Sequence, residues 1–160
     1  MNRAALLALA FVGLSPPGWS CSCVEPLPVE DAVAHATVVF VGRTVSLGVE
    51  KRMQDGHEIE VVVCRFDVSE GFKGLDAGAT QVTLLTPAQG GACGFPFRIW
   101  TRYLVYASEH DGSLQTNTCQ RTKPLVRYTT GDEFTPRTPQ DPVDDSGLQE
   151  ADLVRELVRN

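Results

Sequence analysis

Short apolar runs separated by turn residues fill the middle of the chain, from about residue 37 to residue 128. The runs are rich in β-branched and aromatic residues and read TVVFVGRTVSL, EIEVVVCRFDVSEGF, TQVTLLTP, RYLVYAS and SLQTNTC. Glycine-containing connections lie between them, and the Asp-Gly pairs at 55–56 and 111–112 are strong hairpin signals. The pattern predicts a small antiparallel sheet or barrel of five strands.

Helical patterns flank these strands on both sides. One short helix is predicted at Pro28 to His35. Five strands and one early helix fit a five-stranded Greek-key barrel of the OB type, so the predicted fold class is all-β with short helices.

The composition changes after Tyr128. Residues 129–146 hold three prolines and a cluster of acids, which predicts a linker. The sequence SGLQEADLVRELVRN, from Ser146 onwards, predicts a short amphipathic helix, with acids early and arginine late as the helix dipole prefers. Its predicted apolar face comprises Leu153, Val154, Leu157 and Val158. The pattern leaves open whether this helix docks on the barrel.

The first twenty residues are typical of a secretory signal peptide. Arg3 precedes the apolar stretch 4–14, and a Pro/Gly break and small residues follow. We expect cleavage after Ser20 and therefore export, with three segments: signal peptide 1–20, barrel domain 21–128, and linker plus helix 129–160. An alternative is a lipoprotein anchored at Cys21, although Gly18 and Trp19 are not the aliphatic and small residues usual before a lipidated cysteine.

The charge balance excludes several partners. The chain has 14 Lys+Arg and 20 Asp+Glu, a net charge of −6. Loss of Arg3 with the signal peptide lowers Lys+Arg to 13, which gives −7 for the mature chain. An acidic protein is not expected to bind nucleic acid or an anionic membrane surface. No apolar run reaches the roughly 18 to 20 residues of a transmembrane helix.

All five cysteines lie in the predicted mature chain, where export makes disulfides the expected state. Because five is odd, at least one thiol is left over. Cys64 shares one face of a predicted strand with Val62, Phe66 and Val68, so we expect a buried free thiol there. The other four cysteines allow three pairings.

Catalytic and metal-binding patterns are missing from the sequence. His35, His57 and His110 are isolated, and none belongs to a zinc-protease helix motif. There is no phosphate-binding glycine loop and no Gly-x-Ser-x-Gly elbow. We therefore expect no enzyme activity, no cofactor and no intrinsic metal site.

Several motifs together resemble one family. They are CSC at Cys21 to Cys23, Pro26, HATVVFVGR, EGFKG, ACG at Ala92 to Gly94, and YLVYASEHDGSLQTNTC ending at Cys119. This set, from Cys21 to about Leu125, resembles the N-terminal domain of tissue inhibitors of metalloproteinases, which are netrin-like OB barrels. The signal region and the missing third bridge indicate a bacterial-type, single-domain member.

The resemblance implies two disulfides and an inhibitory mechanism. The bridges are Cys21–Cys93 and Cys23–Cys119. The α-amine and carbonyl oxygen of Cys21 chelate the catalytic zinc of a target metalloprotease, and Ser22 enters the primed-side specificity pocket. Gly91 and Ala92, next to Cys93, form the second edge of the inhibitory wedge. The implied partner is thus a zinc metalloprotease, bound through its active-site zinc.

Three departures from the family pattern motivate an alternative. No cysteine lies near Val33 and Ala34, where the animal inhibitors carry a third bridge, an acidic tail stands in place of their six-cysteine second domain, and Glu25 stands where those inhibitors commonly have proline. Netrin-like domains also serve as binding modules without inhibitory activity. The alternative is such a module, whose partner is another envelope or extracellular protein that docks on the barrel face or the terminal helix.

Overall fold

The computed structural model describes residues 23, 25–54, 56–88, 93–125, 128–129, 143–144 and 146–159. Two helices and eight strands lie within them. In chain order they are α1 (Val29–His35), β1 (Val38–Gln54), β2 (His57–Lys73), β3 (Gln81–Pro87), β4 (Arg102–His110), β5 (Ser113–Gln115), β6 (Lys123–Pro124), β7 (Tyr128–Thr129), β8 (Val143–Asp144) and α2 (Ser146–Arg159).

Five strands close into a ring. The order is β1-β2-β3-β5-β4, and β4 pairs back with β1. All pairs are antiparallel except β3 with β5. This is the arrangement of an OB barrel, which confirms the predicted fold class.

The first half of β1 and most of β4 are buried on both faces. Alternate side chains point into the barrel, where they form one core with strands β2 and β3: Val38, Phe40, Cys64, Phe66, Val82, Leu84, Phe97, Tyr103, Val105 and Ala107. The intervening side chains form a second core with the helices: Ala36, Val39, Val41, Leu104, Tyr106, Leu125, Ala151 and Val154. The continuous apolar runs VVFV and YLVYA follow from this double burial, because strands covered on both faces have no polar alternation.

The hairpin of β1 and β2 is longer than the apolar pattern predicted. Its ladder continues from Leu47↔Cys64 to Gln54↔His57. The added residues carry mostly exposed polar side chains, and Lys51 Nζ lies 2.9 Å from Glu58 Oε1 across the pair. The extended part of the hairpin is held by backbone hydrogen bonds and not by a buried apolar face. The hydrophobic pattern of the sequence therefore did not predict it. Gly56 has φ 80°, which suits a tight two-residue turn.

Both helices lie where the sequence predicts helix, and α2 packs against the barrel. Its Ala151 and Val154 belong to the second core, whereas Leu153 and Val158 of the predicted apolar face are about half exposed. The predicted linker has short strands at its two ends, because β7 pairs with β8. The predicted signal peptide and residues 130–142 lie outside the described residues.

Candidate functional site

A disulfide joins the N-terminal segment, which comprises the described residues before α1 (23 and 25–28), to the chain just after the β4–β5 hairpin, the last hairpin of the barrel. Cys23 is bonded to Cys119 across a sequence separation of 96, with the two Cα atoms 5.1 Å apart. This is the pairing that the family resemblance implies. Since Cys119 follows β5, the bridge fixes the start of the described chain to the barrel.

Cys93 lies next to this bridge. Its carbonyl oxygen accepts hydrogen bonds from the Thr118 backbone N–H at 2.8 Å and from Thr118 Oγ1 at 3.2 Å. Cys93 is itself disulfide-bonded, and its partner lies outside the described residues. Its φ of 60° is a left-handed conformation that residues other than glycine rarely adopt, and such conformations cluster at functional sites.

Gly94 is required by a close approach of two backbone segments. A Cβ built on Gly94 would lie 1.9 Å from the carbonyl oxygen of Pro87, at the end of β3. No side chain fits in that space. The glycine after Cys93 therefore lets the segment carrying this cysteine lie directly against the barrel.

The residues after Gly94 anchor this segment in the barrel core. The Phe95 backbone N–H donates to Thr86 Oγ1 at 2.7 Å, and the Arg98 N–H donates to the Tyr103 hydroxyl at 2.9 Å. The Phe95 and Phe97 rings lie 4.5 Å apart, and Phe97 packs edge-to-face on Tyr103 at 4.9 Å. Aromatic contacts of this kind make a rigid support.

A buried carboxylate holds α2 on the barrel. Glu150 is 3% exposed, and its carboxylate accepts hydrogen bonds from both Nε and Nη2 of Arg121 and from the Tyr106 hydroxyl at 2.9 Å. Lys123 Nζ lies 2.7 Å from Glu150 Oε2. Burial by itself raises the pKa of the Glu150 carboxyl, but the hydrogen bonds from Arg121, Lys123 and Tyr106 together lower it below its usual value.

Sequence reasoning missed Arg121 and Glu150. The one available signal was helical spacing, since Glu150 lies four residues before Val154 and so shares the buried face of α2. The basic partners lie in a loop and in the two-residue strand β6, which no periodicity marks.

Cys64 is a buried free thiol inside the barrel. Burial raises its pKa to about 12. A thiol of this kind stays protonated near neutral pH and is a poor nucleophile.

The predicted site residues divide into two groups. Cys23, Cys93 and Cys119 are brought together as described above. Cys21, Ser22, Gly91 and Ala92 lie outside the described residues.

The described residues hold neither a cluster suited to a metal ion nor a helix suited to a membrane. They contain no group of three or more His, Cys, Asp or Glu side chains arranged to hold a metal ion. Among the helices described, none has the length and apolar character needed to cross a membrane.

The five-stranded closed ring and the bridge from its N-terminal segment to its last hairpin define a netrin-like OB barrel. The family described as tissue inhibitor of metalloproteinase matches residues 19–133, which is more than half of the chain. The chain therefore belongs to the tissue inhibitor of metalloproteinase family, and this membership supports a metalloproteinase inhibitor-like function in general terms. No curated protein shows significant similarity to the chain.

Proposed function

We propose that the protein is exported, is cut after Ser20, and inhibits zinc metalloendopeptidases through its new N-terminus. The α-amine and carbonyl oxygen of Cys21 chelate the target's catalytic zinc, and Ser22 enters the adjoining specificity pocket. Gly91 and Ala92 form the second edge of the contact. A Cys21–Cys93 bridge joins the two edges.

One observation carries this proposal: Cys23 and Cys93 are held beside the same stretch of chain. Cys23 is bonded to Cys119, and the Cys93 carbonyl accepts a hydrogen bond from the neighbouring Thr118. Ser22 and Ala92 are the residues directly before Cys23 and Cys93 in the sequence. The geometry therefore supports a site in which both proposed edges start from one rigid base.

The chemistry requires a neutral N-terminal amine and an open zinc position. Catalytic zinc keeps one position for water or substrate, and an amine–carbonyl pair displaces that water. An ordinary α-amine has a pKa of about 7.7 to 8.0, so zinc displaces its proton readily near neutral pH. Bridges on both sides of the contact reduce the ordering cost of binding.

The decisive experiment adds one alanine before Cys21 of the mature protein. The extension converts the amine into an amide, which has no lone pair for zinc, so inhibition of a susceptible metalloprotease should fall by at least 100-fold. The control carries an alanine after Asn160 and should inhibit like the parent. Equal inhibition by the extended protein contradicts zinc chelation.

An intact-mass measurement on the exported protein tests processing and bridging together. We expect a chain that begins at unmodified Cys21 and is four hydrogens lighter than its fully reduced form, as two bridges require. An acylated Cys21 would identify a lipoprotein and exclude chelation, because acylation removes the lone pair of the amine.

A second candidate is a netrin-like binding module of the cell envelope. The exposed Leu153 and Val158 on α2 favour it, because apolar side chains on a docked helix are suited to a protein partner. A mature protein with a free Cys21 amine that inhibits no enzyme in a panel of zinc metalloproteases would favour this module.

A further inference from the structure

We propose that Glu150 of α2 is a positioning residue for the inhibitory N-terminal segment, and that it acts through Arg121. This inference rests on the proposed function for its effect on inhibition. Its structural part, the fixing of the stretch around Leu27 by a helix more than 100 residues away in sequence, is testable without any protease.

Arg121 contacts the helix and the N-terminal segment at the same time. Its Nε and Nη2 donate to Glu150, as described above, while its Nη1 donates to the backbone carbonyl of Leu27 at 2.8 Å. A guanidinium group is planar and rigid, so a carboxylate bound to two of its nitrogens also fixes the direction of the third. Glu150 thus directs Nη1 toward Leu27.

The segment is tied at both ends to one short stretch of chain. Cys23 is bonded to Cys119, and Leu27 is bound by Arg121 two residues further on. Pro26 and Pro28 flank Leu27 and have no backbone N–H, so this stretch has few donors of its own. The Leu27 carbonyl is a backbone acceptor through which the barrel holds this stretch, by way of Arg121 Nη1.

Glu150 is suited to this role because burial leaves its carboxylate little contact with water. It is 3% exposed, and the side chain of Arg121 is 18% exposed. When the carboxylate is neutralised, the long arginine side chain regains rotational freedom and can reach solvent. The Leu27 end of the segment then loses its fixed attachment while the disulfide keeps the Cys23 end in place.

The test compares three variants of the mature full-length protein. E150Q removes the charge that fixes Arg121. R121K keeps an ion pair with Glu150 but is not expected to bridge to Leu27, because an ammonium group has no planar fork. E70Q is the matched control, since Glu70 of β2 forms an ion pair with Arg155 of α2 at 2.7 Å and has no described contact with Arg121.

The first readout is backbone order by NMR at Glu25 and Leu27. We expect increased motion there in E150Q and R121K and wild-type order in E70Q. The second readout is the inhibition constant against a metalloprotease that the parent inhibits. We expect it to weaken by about 3- to 10-fold in E150Q and R121K, the cost of re-ordering a loosened segment.

The outcomes separate this inference from the proposed function. Wild-type backbone order at Glu25 and Leu27 in both E150Q and R121K overturns the positioning role of Glu150. If E150Q fails to fold, the backbone order measured in R121K alone tests that role. Increased motion with unchanged inhibition constants also overturns it. Increased motion in a protein that inhibits no metalloprotease supports the attachment of Leu27 through Arg121 and Glu150 but contradicts the proposed function.

Discussion

Gly94 shows how one missing side chain fixes the position of the proposed contact edge. The Pro87 carbonyl occupies the space that a Cβ on Gly94 would need. Sequence reasoning singled out the Cys-Gly pair through the family resemblance, but it gave no physical reason for the glycine. That reason is a contact between the end of β3 and a segment that has no periodic pattern, so only the folded structure reveals it.

Substituting Gly94 tests this contact. G94A should lower the free energy of unfolding by at least about 1–3 kcal/mol, because the added methyl group overlaps a backbone oxygen that no rotamer change can move. The matched control is G48A, where an added Cβ meets nothing within 4 Å. Chemical denaturation measures both variants, and equal stability of the two would contradict the argument.

The Cys64 thiol should be unreactive in the folded protein. At pH 8 its pKa of about 12 leaves almost no thiolate, and burial excludes the reagent. Iodoacetamide should therefore label the native protein at no site and the unfolded, unreduced protein once, as mass spectrometry will show. Rapid labelling under native conditions would mean that the thiol is accessible.

At the scale of elements, α2 is attached at two charged sites of very different burial: Glu150 with Arg121 and Lys123, and Arg155 with Glu70. Glu150 is enclosed, whereas the side chains of Glu70 and Arg155 are 37% and 31% exposed. The sequence predicted a terminal helix from its 3.6-residue period. It left docking open, because the buried residues of α2 are mainly small or charged and two of its larger apolar residues remain half exposed.

The two glutamates should differ in their effect on stability. E150Q should lower the free energy of unfolding by about 3 kcal/mol, since it removes a buried counter-charge from the partly buried Arg121 and Lys123. E70Q should cost less than about 1 kcal/mol, because solvent screens an exposed pair. Urea denaturation at pH 7 compares them, and an equal loss in both variants would contradict this ranking.

The bridge between Cys23 and Cys119 should be a major source of stability. It closes a loop with a sequence separation of 96, which by chain entropy corresponds to about 4–5 kcal/mol. The double variant C23S/C119S should lose about that amount in thermal or urea denaturation. C64A, which removes a thiol without a bridge, is the control, and a similar loss in both would argue against loop closure as the cause.

The whole molecule is a barrel in which part of β1 and β4 is buried on both faces, by the barrel interior and by the helices. Most of that architecture was predictable from the sequence. The strand positions and the early helix follow from apolar runs and Asp-Gly turns. The extension of β1 to Gln54 and the network around Glu150 were not predicted, because both depend on polar groups that acquire partners only through tertiary structure.

Stability of the whole fold should decrease in acid. The pKa values of Glu150 and Glu70 are both lowered in the folded state, so the folded protein binds fewer protons than the unfolded chain. Their contribution is complete above the unfolded value near 4.5 and is lost as pH falls through the lower folded values. Melting temperatures from pH 7 to pH 3 should decline in the wild type and less steeply in E150Q. A melting temperature that rises toward pH 3 would contradict this sign.

The buried position of Cys64 has a consequence for the order of events during oxidative folding. Most ways in which five thiols can form two bridges consume Cys64, and each of them places its sulfur where the barrel interior cannot form around it. Closure of the β-ring removes this thiol from exchange. Chains that collapse before they are oxidised therefore keep Cys64 out of every bridge, whereas a strong oxidant applied to the extended chain traps isomers that contain Cys64 and need thiol–disulfide exchange to rearrange.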